Sequence, residues 1–284
     1  MIMDKELNQK VGVFTEALPE LGRLNPAGAL PSTDSSLQRV QKLPASTVFA
    51  EIVEIAELKP YEHERLYHIF SKYYDGHSKE QFLQDLFEKN HIILLRDKKD
   101  RTLQGFSTLL NVEIETPSGR VRGIFSGDTI LEKAYWGHPA LGKAFLKYLW
   151  QEKVKRPWSP LYWFLISKGY KTYLLMANNF STHYPRYEEK TPDSIKALMQ
   201  TFYSKKYGNE LLTDVFLIKP GTDSCRLKDR VAEITDVDRQ NKRIYFFEQS
   251  NPNWKEGFEL PCLAEMTLLM PFKYAIKKAI RRMR

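Results

Sequence analysis

The segment VRGIFSGDTILEKAYWGHPALGKAFLKYLW, Val121–Trp150, decides the fold class of this chain. Its first half is rich in β-branched and aromatic residues, which favours a buried strand that ends near Leu131. The glycine and proline of Tyr135–Pro139 interrupt that pattern. From Leu141 onward apolar residues recur every three or four positions, which predicts a helix. We therefore predict a strand that leads through a short glycine-containing turn into a helix.

The turn before this helix is a candidate site for a phosphate group. The N–H groups in the first turn of a helix have no partner within the helix, and the helix dipole favours negative charge there. Gly137–Gly142 would present such groups to the pyrophosphate of a cofactor, although Pro139 contributes no N–H donor. The alternative is an ordinary turn between a strand and a helix of an α/β domain.

The composition is that of a folded protein with an excess of positive charge. Of the 284 residues, 42% are hydrophobic and 13% are aromatic, which supports a packed core and argues against a disordered chain. The net charge of +8 favours an acidic partner such as coenzyme A, a carrier protein, an anionic membrane or nucleic acid. Two cysteines and no signal peptide predict a reducing, cytoplasmic compartment. We expect no metal site, because CxxC and HxxxH spacings are absent. No apolar run reaches the roughly 20 residues of a membrane span.

The predicted elements follow the order strand, two helices, three antiparallel strands, helix, strand, helix and further strands. This order predicts an α+β fold, with a mixed, mainly antiparallel sheet flanked by helices. We divide the chain into an extended arm (1–45), a core (46–215), and a C-terminal β extension that ends in a terminal helix (216–284). The strands predicted after the helix at 135–155 are Tyr170–Met176, Leu211–Ile218, Arg230–Val237 and Arg243–Glu248.

The central segment resembles the core of the GNAT superfamily, the acyl-CoA-dependent N-acyltransferases. Ser126–Leu131 corresponds to the end of the family's central strand, and Tyr135–Ala144 to its cofactor loop and helix start. In that family the loop amides hold the coenzyme A pyrophosphate, and the strand backbone binds the pantetheine arm. The resemblance covers about residues 48–215. It implies a thioester held between two splayed strands, here Thr129–Leu131 and Tyr173–Met176.

The resemblance also implies three catalytic candidates and a set of cofactor-binding residues. Asp128 would act as the base on the amine, Tyr203 would give a proton to the thiolate, and His138 would contact phosphate or act as a base. Each residue also has a non-catalytic alternative. Asp128 would be an ordinary turn aspartate, Tyr203 a half-buried helix tyrosine, and His138 an exposed loop histidine. If Tyr203 is not the proton donor, Tyr207 is the fallback for that role. The cofactor-binding candidates are Thr129, Ile130, Leu131, Trp136, Gly137, His138, Ala140, Leu141, Gly142 and Lys143.

The activity that the resemblance implies is N-acyl transfer. An acyl group, fatty chains among them, would move from a phosphopantetheine thioester to a primary amine of a small molecule or peptide. The N-acyl amino acid synthases and acyl-homoserine lactone synthases are GNAT-like enzymes of this pattern. The basic charge balance and the loop around Pro139 favour a long-chain acyl-CoA or an acyl carrier protein as the donor.

The last segment, Pro271–Arg284, is predicted to be a basic amphipathic helix with six cations. It would lie on anionic lipid, dock an acidic acyl carrier protein, or pack on the domain. The alternative to an enzyme is a non-catalytic basic module on the same scaffold, which binds nucleic acid, an anionic membrane or an acidic protein. Nucleic acid is the least expected partner, because no groove-reading motif is present.

Overall fold

A computed structural model describes residues 47–270, apart from His77, Ser118, Gly137 and residues 221–225 and 228–232. The strands in this part of the chain are β1 Val48–Glu54, β2 Tyr74–Asp75, β3 His91–Asp97, β4 Leu103–Thr116, β5 Gly119–Leu131, β6 Leu161–Ser167, β7 His183–Tyr184, β8 Leu211–Leu212, β9 Leu217–Ile218, β10 Arg226–Leu227 and β11 Leu260–Glu265. The helices are α1 Pro60–Ser71, α2 Lys79–Phe87, α3 Ala140–Lys155, α4 Tyr170–Asn179, α5 Asp193–Tyr207, α6 Asp236–Arg239 and α7 Lys242–Ser250.

Seven of these strands form one sheet in the order β1-β3-β4-β5-β6-β11-β7. Every neighbouring pair in it is antiparallel except β5 and β6, which are parallel. Two small two-stranded sheets, β2 with β10 and β8 with β9, lie outside it. The predicted α+β class, with a mainly antiparallel sheet flanked by helices, is therefore confirmed.

Alternate residues of each strand point to opposite faces of the sheet and pack under different helices. On β3, Ile93 lies in the core that includes α3, α4 and α7, whereas Ile92 lies in the core of α1 and α2. On β6, Trp163 belongs to the first of these cores. Phe164 packs on the other face against Phe202 of α5, with 4.4 Å between ring centroids. We call the two faces the α3/α4 face and the α2/α5 face.

The segment that decides the fold has the predicted form. β5 ends at Leu131, a short 3₁₀ turn follows at Lys133–Tyr135, and α3 begins at Ala140. The apolar positions of the helix, among them Leu141 and Phe145, are buried in the core of the α3/α4 face. The change from strand to helical periodicity was therefore a reliable signal in this segment.

Two predicted strands are wrong, because both segments are helices. Tyr170–Met176 lies in α4, where Tyr173, Met176 and Ala177 are buried at helical spacing. Their aromatic and aliphatic side chains suit a strand equally well, so composition alone did not separate the two. Arg243–Glu248 lies in α7, and the Asn241 side chain accepts a hydrogen bond from the Arg243 N–H and caps its start.

The segment predicted as the C-terminal β extension contributes a strand to the main sheet. β11 lies between β6 and β7 and pairs with both. The predicted strand Leu211–Ile218 is instead the β8–β9 hairpin. Most of Arg230–Val237 precedes α6, and residues 230–232 lie outside the described residues, as do the predicted arm at 1–45 and the predicted helix at 271–284. None of the described helices is long and apolar enough to cross a membrane.

Candidate functional site

The parallel strands β5 and β6 separate part-way along their length. Arg122–Phe125 pairs with Leu161–Phe164. Beyond this point Ser126–Leu131 remains paired with β4, and Leu165–Ser167 remains paired with β11. The two strands therefore diverge and leave a wedge-shaped gap between them.

The sequence predicted one of the two strands that border the gap correctly and the other wrongly. The prediction placed Thr129–Leu131 opposite Tyr173–Met176, but the second segment is part of α4. The strand that faces the end of β5 across the gap is β6. The error follows directly from the helix that was predicted as a strand.

A cavity of about 470 Å³ occupies the gap and reaches both faces of the sheet. Lys171 and Leu175 of α4 line it on the α3/α4 face, and Lys89, Lys206 and Tyr207 line it on the α2/α5 face. Its volume is in the range of small-molecule sites. Two molecules that approach from opposite faces would therefore meet at the gap.

A β-bulge aims Asp128 at this cavity. The register between β4 and β5 shifts between Ser107 and Leu109, so that Gly127 and Asp128 lie opposite the single residue Thr108. A Cβ atom at Gly127 would lie 2.5 Å from Thr108 Oγ1, so any larger residue here would force the Thr108 side chain to move. Bulges re-aim side chains in this way, and both Gly127 and Asp128 line the cavity.

The carboxyl group of Asp128 has a raised pKa. Burial and the nearby charge of Asp85 raise the pKa of the Asp128 carboxyl to about 6, against the opposing charges of Lys89 and Lys168. A carboxylate with a raised pKa is a more effective base than an exposed one. The predicted base is therefore placed in the cavity and perturbed in the required direction.

Several lysines line the cavity, and sequence reasoning missed all of them. Lys89 Nζ lies 2.7 Å from Asp85 Oδ1, and Lys168 Nζ lies 3.0 Å from Glu259 Oε1. Lys206 Nζ lies over the Phe125 ring, 5.1 Å from its centroid. A signal for Lys206 existed, because it precedes Tyr207 in the segment that was singled out for its tyrosines.

From β1 to α3, apart from the short strand β2, the elements follow the predicted order, and two neighbouring parallel strands separate as the sequence resemblance implies. The fold is GNAT-like. No protein-family model matches the chain, and no curated protein sequence matches it.

Several solved structures are similar to part of this chain. A conserved Enterococcus faecalis protein described as a probable N-acyltransferase is 12% identical, with a TM-score of 0.36 over 47% of this chain and 33% of that one. Saccharomyces cerevisiae N-myristoyltransferase with bound myristoyl-CoA is 11% identical, with a TM-score of 0.33 over 54% of this chain and 32% of that one. The Escherichia coli ribosomal-protein-S18-alanine N-acetyltransferase is 17% identical, with a TM-score of 0.32 over 50% of this chain and 88% of that one. The matched part thus spans about a third of the length of the first two.

Tyr203 does not line the cavity between β5 and β6. Its side chain is fully buried, and its hydroxyl donates to the carbonyl oxygens of Leu165 and Cys262, each at 2.7 Å. Burial, with a smaller contribution from Cys262, holds the pKa of Tyr203 well above its ordinary value. The phenol therefore ties β6 to β11, and this placement argues against the predicted role of proton donor. The fallback residue, Tyr207, does line the cavity.

The three predicted residues at the end of β5 have different environments. Thr129 lines the cavity, and its hydroxyl lies 2.7 Å from that of Ser107. Ile130 is buried in the core of α1 and α2. The Leu131 carbonyl accepts a hydrogen bond from the Trp136 indole N–H at 2.9 Å. Thr129 therefore lines the cavity, whereas the side chain of Ile130 supports the sheet.

The predicted cofactor loop adjoins the start of α3. His138 Nδ1 accepts a hydrogen bond from the Ala140 N–H at 3.3 Å, and the Lys143 N–H donates to the Pro139 carbonyl at 2.9 Å. Leu141 is buried beneath the helix. The described cavity lining does not include Trp136 or any residue from His138 to Lys143, so His138 is not brought together with Asp128. Gly137 lies outside the described residues, and Gly142 is half-buried.

Proposed function

We propose that this chain is an N-acyltransferase that moves an acyl group from a phosphopantetheine thioester to a primary amine. The observation that carries the proposal is the separation of β5 and β6 beyond Phe125 and Phe164, with Asp128 in the cavity between them. Acyl transfer requires a thioester and an amine side by side and a group that removes the amine proton. A gap that is accessible from both faces, with a base in it, meets these requirements.

The donor would lie along the gap from the α3/α4 face. Because β5 and β6 are parallel, the helices that follow them, α3 and α4, begin at the same edge of the sheet. Helix N-termini favour anions, and Lys171 in the first turn of α4 adds positive charge. We therefore place the phosphates at this edge, with Trp136–Lys143 as their predicted support, and the pantetheine arm between the diverging strands.

The amine would enter from the α2/α5 face and react beside Asp128. The carboxylate accepts a proton from the amine, the amine nitrogen forms a bond to the thioester carbon, and the C–S bond breaks with its electron pair on sulfur. A base with a pKa of about 6 is largely ionised at neutral pH and still accepts a proton. The same carboxyl would be protonated, and the amine left charged, in mildly acidic solution.

The lining of the cavity favours an apolar acyl group. Phe70, Phe82 and Trp163 contribute aromatic surface, and Leu165 and Leu175 contribute aliphatic surface. Such a lining suits medium or long acyl chains better than a charged acyl group. We propose an acyl-CoA or an acylated carrier protein as the donor, with a small molecule or a peptide as the acceptor.

A donor panel tests the proposal. The protein is titrated with coenzyme A thioesters of two to sixteen carbons and with the matching acyl carrier proteins, and the melting temperature is recorded. Thiol release is then measured with a mixture of primary amines. We expect at least one thioester to raise the melting temperature and to release thiol only when an amine is present. No shift with any donor would overturn the proposal and favour a non-catalytic binding module.

A further inference from the structure

Lys206 is a half-buried cation, and no carboxylate of the described residues lies close to it. Its side chain is 17% exposed, and its ion contact with Glu88 is long, with 3.8 Å between Nζ and Oε2. The Glu88 side chain is itself 57% exposed, so solvent screens this contact strongly. The ammonium instead lies over the rings of Phe125 and Tyr207, 5.1 and 5.7 Å from their centroids.

Two other lysines of the cavity differ from Lys206, because each forms a close ion pair. Lys89 and Lys168 each have a carboxylate oxygen within 3.0 Å of Nζ. Their positive charges are therefore largely used within the protein. A desolvated ammonium with a distant partner gains much more from a negative charge that arrives with a ligand.

The position of Lys206 identifies where that negative charge would form. Its ammonium lies over Phe125, the last residue of β5 that pairs with β6, and it is close enough to Asp128 for that charge to influence its ionisation. On the proposed function, the sulfur of the pantetheine arm lies in this part of the gap. The phosphates lie at the strand ends, toward the start of α4.

We infer that Lys206 stabilises the thiolate that leaves when the acyl group is transferred, an inference that rests on the proposed function. The amine proton passes to Asp128, the nitrogen–carbon bond forms, the C–S bond breaks, and the sulfur leaves with the electron pair. The Lys206 ammonium donates a hydrogen bond to that sulfur and balances its charge. No proton has to leave a tyrosine in this step.

The neighbouring phenol is a poorer candidate for the same role. Burial raises the pKa of Tyr207 well above its ordinary value, which makes it a weaker acid than an ordinary tyrosine. Burial and the charge of Lys89 lower the pKa of Lys206, which moves it toward that of a thiol. The geometry and the ionisation of both side chains therefore favour the lysine.

The direct test is the pKa of the thiol of coenzyme A when it is bound. The thiolate is followed by its ultraviolet absorbance during a pH titration, for the wild type and for the variants Lys206→Gln, Lys206→Arg and Lys205→Gln. Lys205 is the adjacent, exposed residue of α5 and provides a control with the same change of charge. We expect the wild type, K205Q and K206R to lower the thiol pKa by about one unit or more relative to free coenzyme A. K206Q should remove this shift.

The outcomes separate the inference from the proposed function. The inference is overturned if coenzyme A binds the wild type and its thiol pKa does not change, or if the pKa shift survives in K206Q. Either result leaves the proposed function intact. Coenzyme A and acyl carrier proteins that fail to bind at all overturn both. As a second readout, K206Q should lower kcat for an alkyl thioester by about 10²-fold, and much less for an aryl thioester, whose thiolate needs little stabilisation. An equal loss with both thioesters would contradict a role at the sulfur.

Discussion

The hydroxyl oxygen of Thr108 lies 2.5 Å from the position that a Cβ atom on Gly127 would occupy. Thr108 is the single β4 residue opposite the bulge that Gly127 and Asp128 form on β5. Its Oγ1 is buried and has no hydrogen-bond partner among the described residues. The Thr108 hydroxyl thus occupies the space that a side chain at Gly127 would need. The bulge that presents Asp128 depends on this arrangement.

Gly127→Ala should destabilise the bulge, and a second substitution should restore it. The added methyl group overlaps Thr108 Oγ1, so we expect a loss of about 1–3 kcal/mol in the free energy of unfolding. Thr108→Ala removes that oxygen and leaves the Thr108 Cβ at 3.8 Å, an ordinary contact. The double variant should recover most of the loss in a denaturant titration. Strictly additive effects of the two substitutions would contradict the arrangement described above.

Asp128→Asn should abolish most of the activity without weakening donor binding. An amide accepts no proton, so we expect kcat to fall by about 10²–10⁴-fold. In the wild type, activity should rise with pH around a midpoint near 6, where Asp128 ionises. The exposed Asp214 provides a control, since Asp214→Asn makes the same chemical change at a residue that does not line the cavity. A wild-type profile that is flat between pH 5 and 7 would rule out Asp128 as the base.

The same variant should be more stable than the wild type at neutral pH. The folded state raises the pKa of Asp128 from 3.8 to about 6, so it holds the proton more tightly than the unfolded state. The free energy of unfolding of the wild type therefore falls as the pH rises from 3.8 through 6, where the folded state loses this proton. The amide of the D128N variant cannot ionise, so the melting temperature of the variant relative to the wild type should increase between about pH 4 and about pH 7.5. A difference that is constant with pH would contradict the raised pKa.

Tyr203→Phe should affect stability and not the chemical step. It leaves the buried carbonyls of Leu165 and Cys262 without their phenol donor, which is expected to cost about 1–3 kcal/mol. The melting temperature should fall, while kcat and the pH profile of the folded enzyme stay as in the wild type. Chemical denaturation and steady-state kinetics of the same preparation measure the two effects. A large loss of kcat with unchanged stability would restore Tyr203 as the proton donor.

The fold followed from the sequence where a periodic pattern was long. Val121–Trp150 changes from strand to helix periodicity within one segment, and both elements have their predicted places. Short apolar segments were ambiguous, because Tyr170–Met176 carries the side chains of a strand and lies in a helix. Such a segment is decided by its tertiary neighbours, here the aromatic residues of α7 that pack on Tyr173.

The site was predictable only in part. Asp128 was found because it is a carboxylate near the end of the predicted central strand, where the resemblance places the thioester. The cavity lysines were not found, since Lys89, Lys168 and Lys206 come from three elements far apart in the chain. Tyr203 was singled out instead of its neighbours because sequence does not reveal which side of a helix faces a cavity. The separation of β5 from β6 determines this, and it is a property of the assembled sheet.

The most direct measurement is a crystal structure of the protein with desulfo-coenzyme A, a donor analogue that cannot react. The account predicts that the pantetheine arm lies between residues 126–129 of β5 and 165–168 at the end of β6, with its phosphates at the starts of α3 and α4. A structure in which these strands have closed on each other, or in which the analogue binds elsewhere on the surface, would contradict it.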